Sequence, residues 1–437
     1  MTGTEIVKIK AREVLDSKAR PMVEADVLTA AGALGRGASP CGTSVGRHEA
    51  FVLRDGDGRY GGLGVRKAVR NVMEVIGPAL IGKDSLDQQA VDHCMISLDG
   101  TSDKSRLGAN AIYSVSIAVA RAAAASLGLS LFRYLGGVKA CQLPVPLFNM
   151  INGGTYGSVS MAFQEFLFIP SGASTYSEAL RMGVEVYAAL GDVVACRYGR
   201  DRLLTAPSAG YGAPSEDPGE VLELLLDAAD KAGYGGKCRV GIDCAASHFY
   251  DVSTGVYRFR RKDAGRQEIF RILEELAGKY PLFVVEDPVE EDDFEGMAEL
   301  TQRLGGSVVI GDDLFVASLE RLRRGVAVGA ANAILLKPNM IGTISEALDT
   351  ARYAREHGYR IVGSGRAGGG IDDPIPDISV AAGAVMVKFG APRSGERLGK
   401  QNCMLRIEEE LGENGVYAGP GLFAEACAGD GDGPGRI

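Results

Sequence analysis

The sequence has little of what would mark a secreted, membrane-bound or nucleic-acid-binding protein. It has no tryptophan, four histidines and eight scattered cysteines without a C-x-x-C pair, which argues against a disulfide framework and a zinc knuckle. The net charge of −9, from 47 basic and 56 acidic residues, disfavours nucleic acid as a partner. No secretory leader is recognised at the amino end, and Arg121 interrupts the most apolar stretch, Ile112 to Phe132. We therefore predict a cytoplasmic protein that does not span a membrane.

Common nucleotide-binding and hydrolase motifs are missing as well. The chain has no G-x-x-x-x-G-K-[ST], no H-E-x-x-H and no G-x-S-x-G. The glycine-rich run Gly365 to Gly370 has a weak dinucleotide-binding look, but such loops also approach phosphates through backbone N–H groups without a nucleotide fold. The charged residues are therefore the candidates for catalysis and ligand binding.

The spacing of apolar residues divides the chain into two parts. Short alternating runs between residues 5 and 54 predict a small sheet, and helical spacing follows at 65–81 and 109–127. Pro144 and Pro146 then interrupt the helical pattern. We predict an N-terminal α+β domain at 1–140, a catalytic domain at 141–427 and a flexible glycine-rich tail at 428–437.

Six successive units after residue 239 share one pattern, a short apolar run that ends in a charged residue and is followed by an amphipathic helix. Runs of Val, Ile and Leu are typical of parallel strands buried on both faces. An open doubly wound sheet uses the same unit, but six units favour an α/β fold of the TIM-barrel type. Both folds bind ligands at the carboxyl ends of their strands.

The charged residues at these strand ends carry the chemistry. In chain order they are Asp243, Glu286, Asp312, Lys337, Arg366 and Lys388. Three carboxylates without a histidine or thiolate partner suit Mg²⁺, and the three cations indicate a substrate with carboxylate and phosphate groups. Ion pairs that only tie strand ends together are the alternative, which six successive charged ends disfavour. Gln164 and Glu165 border another apolar stretch and could join the same rim.

At these residues the chain resembles the enolase family over nearly its whole length. The matching segments are AREVLDS, GRHEAFVLRDGDGRYGGLGV, LGANAI, LPVPLFNMINGG, FQEF, GIDCAAS, VVEDP, IGDDL, ILLKPNMIGT, KFGAP, ERLGK and LRIEEELG. The resemblance implies an N-terminal capping module, a β/α barrel, dependence on Mg²⁺ and a homodimer. In that dimer, Glu24 and Arg406 match a pair that bridges the subunits.

The resemblance also implies roles for individual residues. Asp243, Glu286 and Asp312 match the metal ligands. Lys337 matches the base that takes the C2 proton of 2-phosphoglycerate, and Lys388 matches the lysine facing the substrate carboxylate. Further candidates for substrate binding or catalysis are Gln164, Glu165, Arg366, Ser364, Gly365, Tyr156 and Ser208.

The chain departs from the family on one side of this predicted site. Cys41 begins the segment that reads S-G-A-S-T in enolases, and Tyr156 replaces a histidine. Ser208 or Ala209 stands where the general acid is expected, and Gly365 replaces another histidine. Because a general acid contributes about 10²–10⁴ in rate, we expect ordinary enolase activity to be weak or absent. Most of the replacements also remove side-chain volume, which predicts an enlarged pocket on this side.

Three functions remain open at this point. The first is a transferase that makes carboxyphosphonoenolpyruvate from CMP-phosphonoformate and 2-phosphoglycerate or phosphoenolpyruvate, as the enolase-like carboxyphosphonoenolpyruvate synthase of phosphinothricin-type biosynthesis does. The second is a phosphopyruvate hydratase whose acid is another residue, such as Glu165 or Tyr156. The third is an inactive binding protein, which the retained acids and lysines disfavour. The expected partners are a small phosphorylated carboxylic acid and a CMP-activated phosphonate.

Overall fold

An antiparallel sheet packed against helices forms the N-terminal part of the chain. The computed structural model describes residues 3–42, 45–157, 161–206 and 209–429. The strands are β1 (Ile6–Leu15), β2 (Pro21–Thr29) and β3 (Leu34–Ser39), and the helices are α1 (Arg66–Asn71), α2 (Gly77–Leu80), α3 (Gln88–Asp99), α4 (Ala109–Ser126) and α5 (Leu131–Gly136). A π-helical turn, Val72–Ile76, joins α1 to α2. Sheet and helices together make the α+β layer that the alternating and helical patterns predict.

Helix α4 is buried on almost every side because small residues line it. A Cβ atom at Gly35 would lie 2.0 Å from the carbonyl oxygen of Ala118, so strand β3 can approach the helix this closely only with glycine there. Among the described residues no single helix is long and apolar enough to cross a membrane. The helical segments Ala109–Ser126 and Leu131–Lys139 reach the required length and apolar character only when they are counted together, and they are bent by 95° relative to each other.

The second part of the chain contains one large curled sheet. Its strands and the smaller ones beside it are β4 (Gln142–Leu143), β5 (Val145–Pro146), β6 (Phe148–Asn152), β7 (Glu165–Ile169), β8 (Tyr211–Gly212), β9 (Arg239–Asp243), β10 (Tyr250–Asp251), β11 (Val256–Phe259), β12 (Lys262–Ala264), β13 (Leu282–Glu286), β14 (Val308–Gly311), β15 (Ala333–Leu336), β16 (Arg360–Ser364), β17 (Met386–Lys388) and β18 (Val416–Tyr417). The order in the sheet is β5-β17-β16-β15-β14-β13-β9-β7-β6-β8. Only Leu147 separates β5 from β6, which lie near opposite ends of this order, so the sheet curls into a barrel.

Helices cover the outside of the barrel, except that the last of them packs against the apolar cluster inside it. They are α6 (Tyr176–Tyr198), α7 (Pro218–Lys231), α8 (Arg266–Lys279), α9 (Phe294–Arg303), α10 (Leu319–Val328), α11 (Ile344–Glu356), α12 (Ile375–Ala382), α13 (Gly395–Leu411) and α14 (Gly419–Gly429). The six strands of the repeated units are parallel to one another, as predicted. Strand β7 runs antiparallel to both β6 and β9, which the repeat pattern does not predict. The predicted fold class, a TIM-type barrel with an N-terminal α+β module, is confirmed.

The N-terminal module docks where α11 begins, near the carboxyl end of β15. Ser116 accepts a hydrogen bond from the backbone N–H of Ile344 (3.0 Å), and the Asp92 carboxylate accepts one from that of Ser345 (3.0 Å). The buried Lys104 adds an ion pair to Glu346 at 2.9 Å. This docking brings N-terminal residues to the rim formed by the strand ends.

Candidate active site

Strand register brings the predicted residues to one rim. Asp243 lies opposite Glu286 in the parallel pair β9–β13, and opposite Glu165 in the antiparallel pair β7–β9. Glu165 begins β7, and because this strand runs in the opposite direction, its amino end reaches the carboxyl ends of the others. On the far side of the barrel, Ser364 lies opposite Lys388 in the pair β16–β17.

Lys388 is held by three carboxylates. Its Nζ lies 2.8 Å from Asp243 Oδ2, 2.8 Å from Glu286 Oε2 and 2.9 Å from Glu165 Oε2. Burial alone would lower the pKa of Lys388, but the charges of these carboxylates outweigh it and raise the pKa well above its ordinary value. The ammonium group is therefore fixed and charged at the centre of the rim.

Lys337 follows β15 and contacts Asp312 in a short ion pair. Burial opposes the charged form of Lys337, and Asp312 outweighs that effect, so the net pKa is raised. The Asp312 turn is itself positioned by a neighbouring carboxylate. Asp287 accepts hydrogen bonds from the backbone N–H groups of Asp312 (3.0 Å) and Asp313 (2.8 Å). Asp287 is a site residue that the strand-end argument misses.

The carboxylates fit a divalent cation. Oxygen atoms of Glu286, Asp287 and Asp312 lie within 4.8 Å of one another, and all three residues are buried. Burial and the neighbouring carboxylates raise the pKa of Glu286 and of Asp287 well above the ordinary value. Asp312 Oδ1 is buried and finds no hydrogen-bond partner among the described residues. All-oxygen ligands with surplus negative charge suit Mg²⁺. Asp243, which the sequence predicts as a metal ligand, is not one of these three grouped acids. Its Oδ2 lies 2.8 Å from Lys388 Nζ, and Asp287 stands in the group instead.

Arg366 lies at the same rim but is bound by a residue of the N-terminal module. Its Nη1 is 2.6 Å and its Nη2 3.2 Å from the two carboxylate oxygens of Glu49, and both side chains are almost fully buried. Glu49 also accepts a hydrogen bond from the backbone N–H of Gly46 (2.9 Å). A Cβ atom at Gly42 would lie 2.0 Å from Arg366 Nη2, so glycine gives the guanidinium its space. Glu49 is the second site residue that the motif search leaves out.

The other predicted substrate-binding residues have different surroundings. Gln164 Oε1 accepts a hydrogen bond from the Thr155 hydroxyl at 3.3 Å. The Ser364 hydroxyl donates to the backbone carbonyl of Lys388 at 3.2 Å, an interaction that supports the rim. The backbone of Tyr156 ends a short 3₁₀ turn, but its side chain is outside the described part of the structure. Ser208 also lies outside the described residues.

The position next to Ser208 does not face the pocket. Ala209 is 5% exposed, packs in the apolar layer between strands and helices, and has a φ of 70°. Its carbonyl oxygen accepts a hydrogen bond from the Tyr187 hydroxyl at 2.7 Å. Among the described residues of this segment, 209–214, no carboxylate lines the pocket, because the sequence has no acidic residue there.

Most of the predicted site residues line one pocket. The predicted residues that line it are Gln164, Glu165, Asp243, Asp312, Lys337, Ser364, Gly365, Arg366 and Lys388, and residues not predicted include Glu49, Asp287, Asp313 and Arg397. Burial and the charge of Asp312 raise the pKa of Asp313 to about 7.

Comparison with known proteins agrees with this geometry. Residues 6–135 match the family model "Enolase, N-terminal domain", and residues 140–426 match "Enolase, C-terminal TIM barrel domain". The chain is 48% identical over 409 residues to a protein named enolase from Methanopyrus kandleri, covering 93% of this chain and 96% of the relative. Enolase from Methanothrix thermoacetophila is 47% identical (95% and 98% covered), and enolase from Thermococcus gammatolerans 46% (95% and 97%).

A β/α barrel whose rim joins buried carboxylates to two lysines and an arginine defines a metal-dependent enzyme for an anionic substrate. With both family models matched across the chain, the protein belongs to the enolase family, whose members use Mg²⁺. The relatives described above are named enolase, so the narrower resemblance to carboxyphosphonoenolpyruvate synthase finds no support in their names.

Proposed function

We propose that the protein is a Mg²⁺-dependent lyase that removes water from 2-phosphoglycerate to give phosphoenolpyruvate. The observation that carries the proposal is the placement of Lys337 and Lys388 in one pocket with carboxylates on neighbouring strand ends. The names and high identity of the relatives support the same reaction.

Each residue of the site has its own role in the proposed reaction. Lys337, once deprotonated, takes the proton from C2, and Lys388 holds a carboxylate oxygen on which negative charge develops. Arg366 binds the phosphate, in competition with Glu49. Mg²⁺ held by Asp243, Glu286 and Asp312 would supply further positive charge to the enolate carboxylate. Glu165, which forms an ion pair with Lys388 in the structure, is the group we assign to protonation of the departing hydroxyl, after it has taken up a proton from solvent.

A second candidate is the transferase that joins a CMP-activated phosphonate to the three-carbon acid. The observation that favours it is the alanine at 209, with no carboxylate from described residues 209–214 at the pocket. A hydratase needs an acid to expel hydroxide, whereas a transferase that expels CMP does not. Both candidates share the enolate-stabilising half of the site.

One assay separates the candidates. Purified protein with Mg²⁺ and 2-phosphoglycerate is followed by ³¹P NMR, with Lys337→Met as the inactive control. Formation of phosphoenolpyruvate at ordinary enolase rates supports the lyase and discards the transferase. No phosphoenolpyruvate, together with release of CMP from CMP-phosphonoformate, contradicts the lyase and supports the transferase.

A further inference from the structure

The turn between β1 and β2 reaches the loop that follows β16. The guanidinium of Arg20, in this turn, donates through Nη1 to the backbone carbonyl of Gly42 at 2.8 Å and through Nη2 to that of Ala367 at 3.2 Å. The backbone N–H of Ser17 donates to the carbonyl of Gly369 at 3.2 Å. One arginine of the N-terminal module therefore connects two loops next to the active-site rim.

Asp16 fixes the guanidinium of Arg20 in this position. Its Oδ2 lies 2.9 Å from Arg20 Nη2 and accepts a hydrogen bond from Nε at 3.0 Å, and the side chain of Asp16 is fully buried. Its Oδ1 accepts hydrogen bonds from the backbone N–H groups of Lys18 and Arg20, both at 2.8 Å. Because one carboxylate binds both the turn and the planar guanidinium, Arg20 is held in a single orientation.

Both carbonyl groups that Arg20 binds belong to the immediate surroundings of Arg366. Ala367 is the next residue in the chain, and a Cβ atom at Gly42 would lie 2.0 Å from Arg366 Nη2, so the Gly42 backbone packs on that guanidinium. Gly368 has a φ of 94°, and a Cβ atom there would lie 2.0 Å from Arg20 Nη2, so glycine allows this close approach. Without Arg20, the backbone beside Arg366 would lose two of its hydrogen bonds.

We propose that Arg20 is a positioning residue for the phosphate group of the substrate and acts through Arg366. Arg20 is not among the residues that line the pocket, and its charge is paired with Asp16, so we assign it no contact with the ligand. An arginine binds two phosphate oxygens at once only when its fork of donors is correctly oriented, and Arg20 fixes the backbone that orients Arg366. The inference rests on the proposed function for the assignment of the phosphate to Arg366.

Equilibrium dialysis of radiolabelled inorganic phosphate against the full-length protein with Mg²⁺ tests the inference. We expect Arg20→Ala to weaken phosphate binding about tenfold, because a misaligned Arg366 loses one charge-assisted hydrogen bond to the anion. The stabilisation against heat that Mg²⁺ provides should be retained, because the grouped acids Glu286, Asp287 and Asp312 lie at the ends of β13 and β14 and not beside the β16 loop.

Arg121→Ala is the matched control. Arg121 also connects the N-terminal module to the segment after β16, by a hydrogen bond to the carbonyl of Arg36 at 2.8 Å and an ion pair with Asp372 at 2.7 Å. Its side chain is 18% exposed, compared with 19% for Arg20. Because Asp372 lies six positions beyond Arg366, the control should bind phosphate as tightly as the unmodified protein does.

Phosphate binding in Arg20→Ala as tight as in Arg121→Ala would contradict the inference alone. A parallel loss of phosphate binding and of the Mg²⁺ response would also contradict it, because Arg20 would then only stabilise the fold. Phosphate binding that stays unchanged in Arg366→Gln would instead contradict the role of Arg366 in the proposed function.

A second variant covers the case in which circular dichroism shows Arg20→Ala to be unfolded. Arg20→Lys keeps the positive charge beside Asp16 but replaces the two nitrogens that bind the carbonyl groups with one. This variant should bind phosphate several-fold more weakly than the unmodified protein and keep its response to Mg²⁺. Unchanged phosphate binding in Arg20→Lys would show that the charge of Arg20, and not its two hydrogen bonds, matters at this position, which overturns the proposal.

Discussion

Glu49 and the substrate phosphate compete for the guanidinium group of Arg366. Glu49 holds both terminal nitrogens of the guanidinium, and an incoming phosphate must share them or displace the carboxylate. We expect Glu49→Gln to bind inorganic phosphate several-fold more tightly, because the repulsion between two anions is removed. Dialysis measures the change, with Asp57→Asn on the exposed surface as control. Weaker binding than in the control would mean that Glu49 mainly positions Arg366.

Lys337 is the residue whose loss should stop the chemistry while leaving binding intact. It contacts Asp312, and Arg366 is bound elsewhere by Glu49, so removing its amine should not disturb the phosphate position. We expect Lys337→Met to lower exchange of the C2 proton of 2-phosphoglycerate with D₂O by about 10²–10⁴ while phosphate binding changes little. Lys279→Met, at an exposed position, should exchange at the normal rate. Unchanged exchange in Lys337→Met would assign the base to another group.

The strand ends were the most predictable part of the site. Runs such as LFVVE can be stable as buried parallel strands, and a charge at the end of such a run has few explanations besides a rim site. The direction of β7 could not be predicted, because a short apolar run reads the same in either direction. Its antiparallel orientation is what brings Glu165, at its amino end, to Lys388.

The N-terminal sheet carries a cross-strand charge cluster whose effect on stability depends on pH. Burial opposes ionisation of Asp26, but Arg36 and Arg12 outweigh it and lower the pKa of Asp26 to about 2. An unfolded aspartate titrates near 3.9, so ionised Asp26 stabilises the fold above about pH 4 and loses this effect as the pH falls towards 2.

We expect Asp26→Asn to lower the free energy of unfolding at pH 7 by about 1 kcal/mol, because solvent screens part of the interaction. Urea titrations at pH 7, 5, 4 and 3 should show the difference from the unmodified protein shrinking at the lower pH values. Asp57→Asn, exposed and away from this cluster, serves as the control. A difference that stays constant with pH would show that the ionised carboxylate is not its source.

Assembly of the whole chain decides the parts of the site that local patterns miss. Glu49 reaches Arg366 across 317 positions of sequence, through docking of the N-terminal module at α11. Nothing in the spacing of apolar residues around Glu49 or Arg366 indicates that the two side chains are in contact. Arg397, another residue of the pocket lining, was missed for a similar reason: it belongs to a helix rather than to a strand end, and its position depends on the absence of a side chain at Gly390.

A cation bound at the centre of the barrel should stabilise the entire molecule. Glu286, Asp287 and Asp312 are buried together, and an unfolded chain has no such site. At 100 times its dissociation constant a ligand of the folded state contributes about 2.7 kcal/mol, so we expect Mg²⁺ to raise the thermal midpoint by about 5 °C and EDTA to reverse it. Asp312→Asn should lose this response, whereas Asp263→Asn, on the exposed hairpin β11–β12, should keep it. An equal Mg²⁺ response in both variants would place the stabilising ion outside the barrel rim.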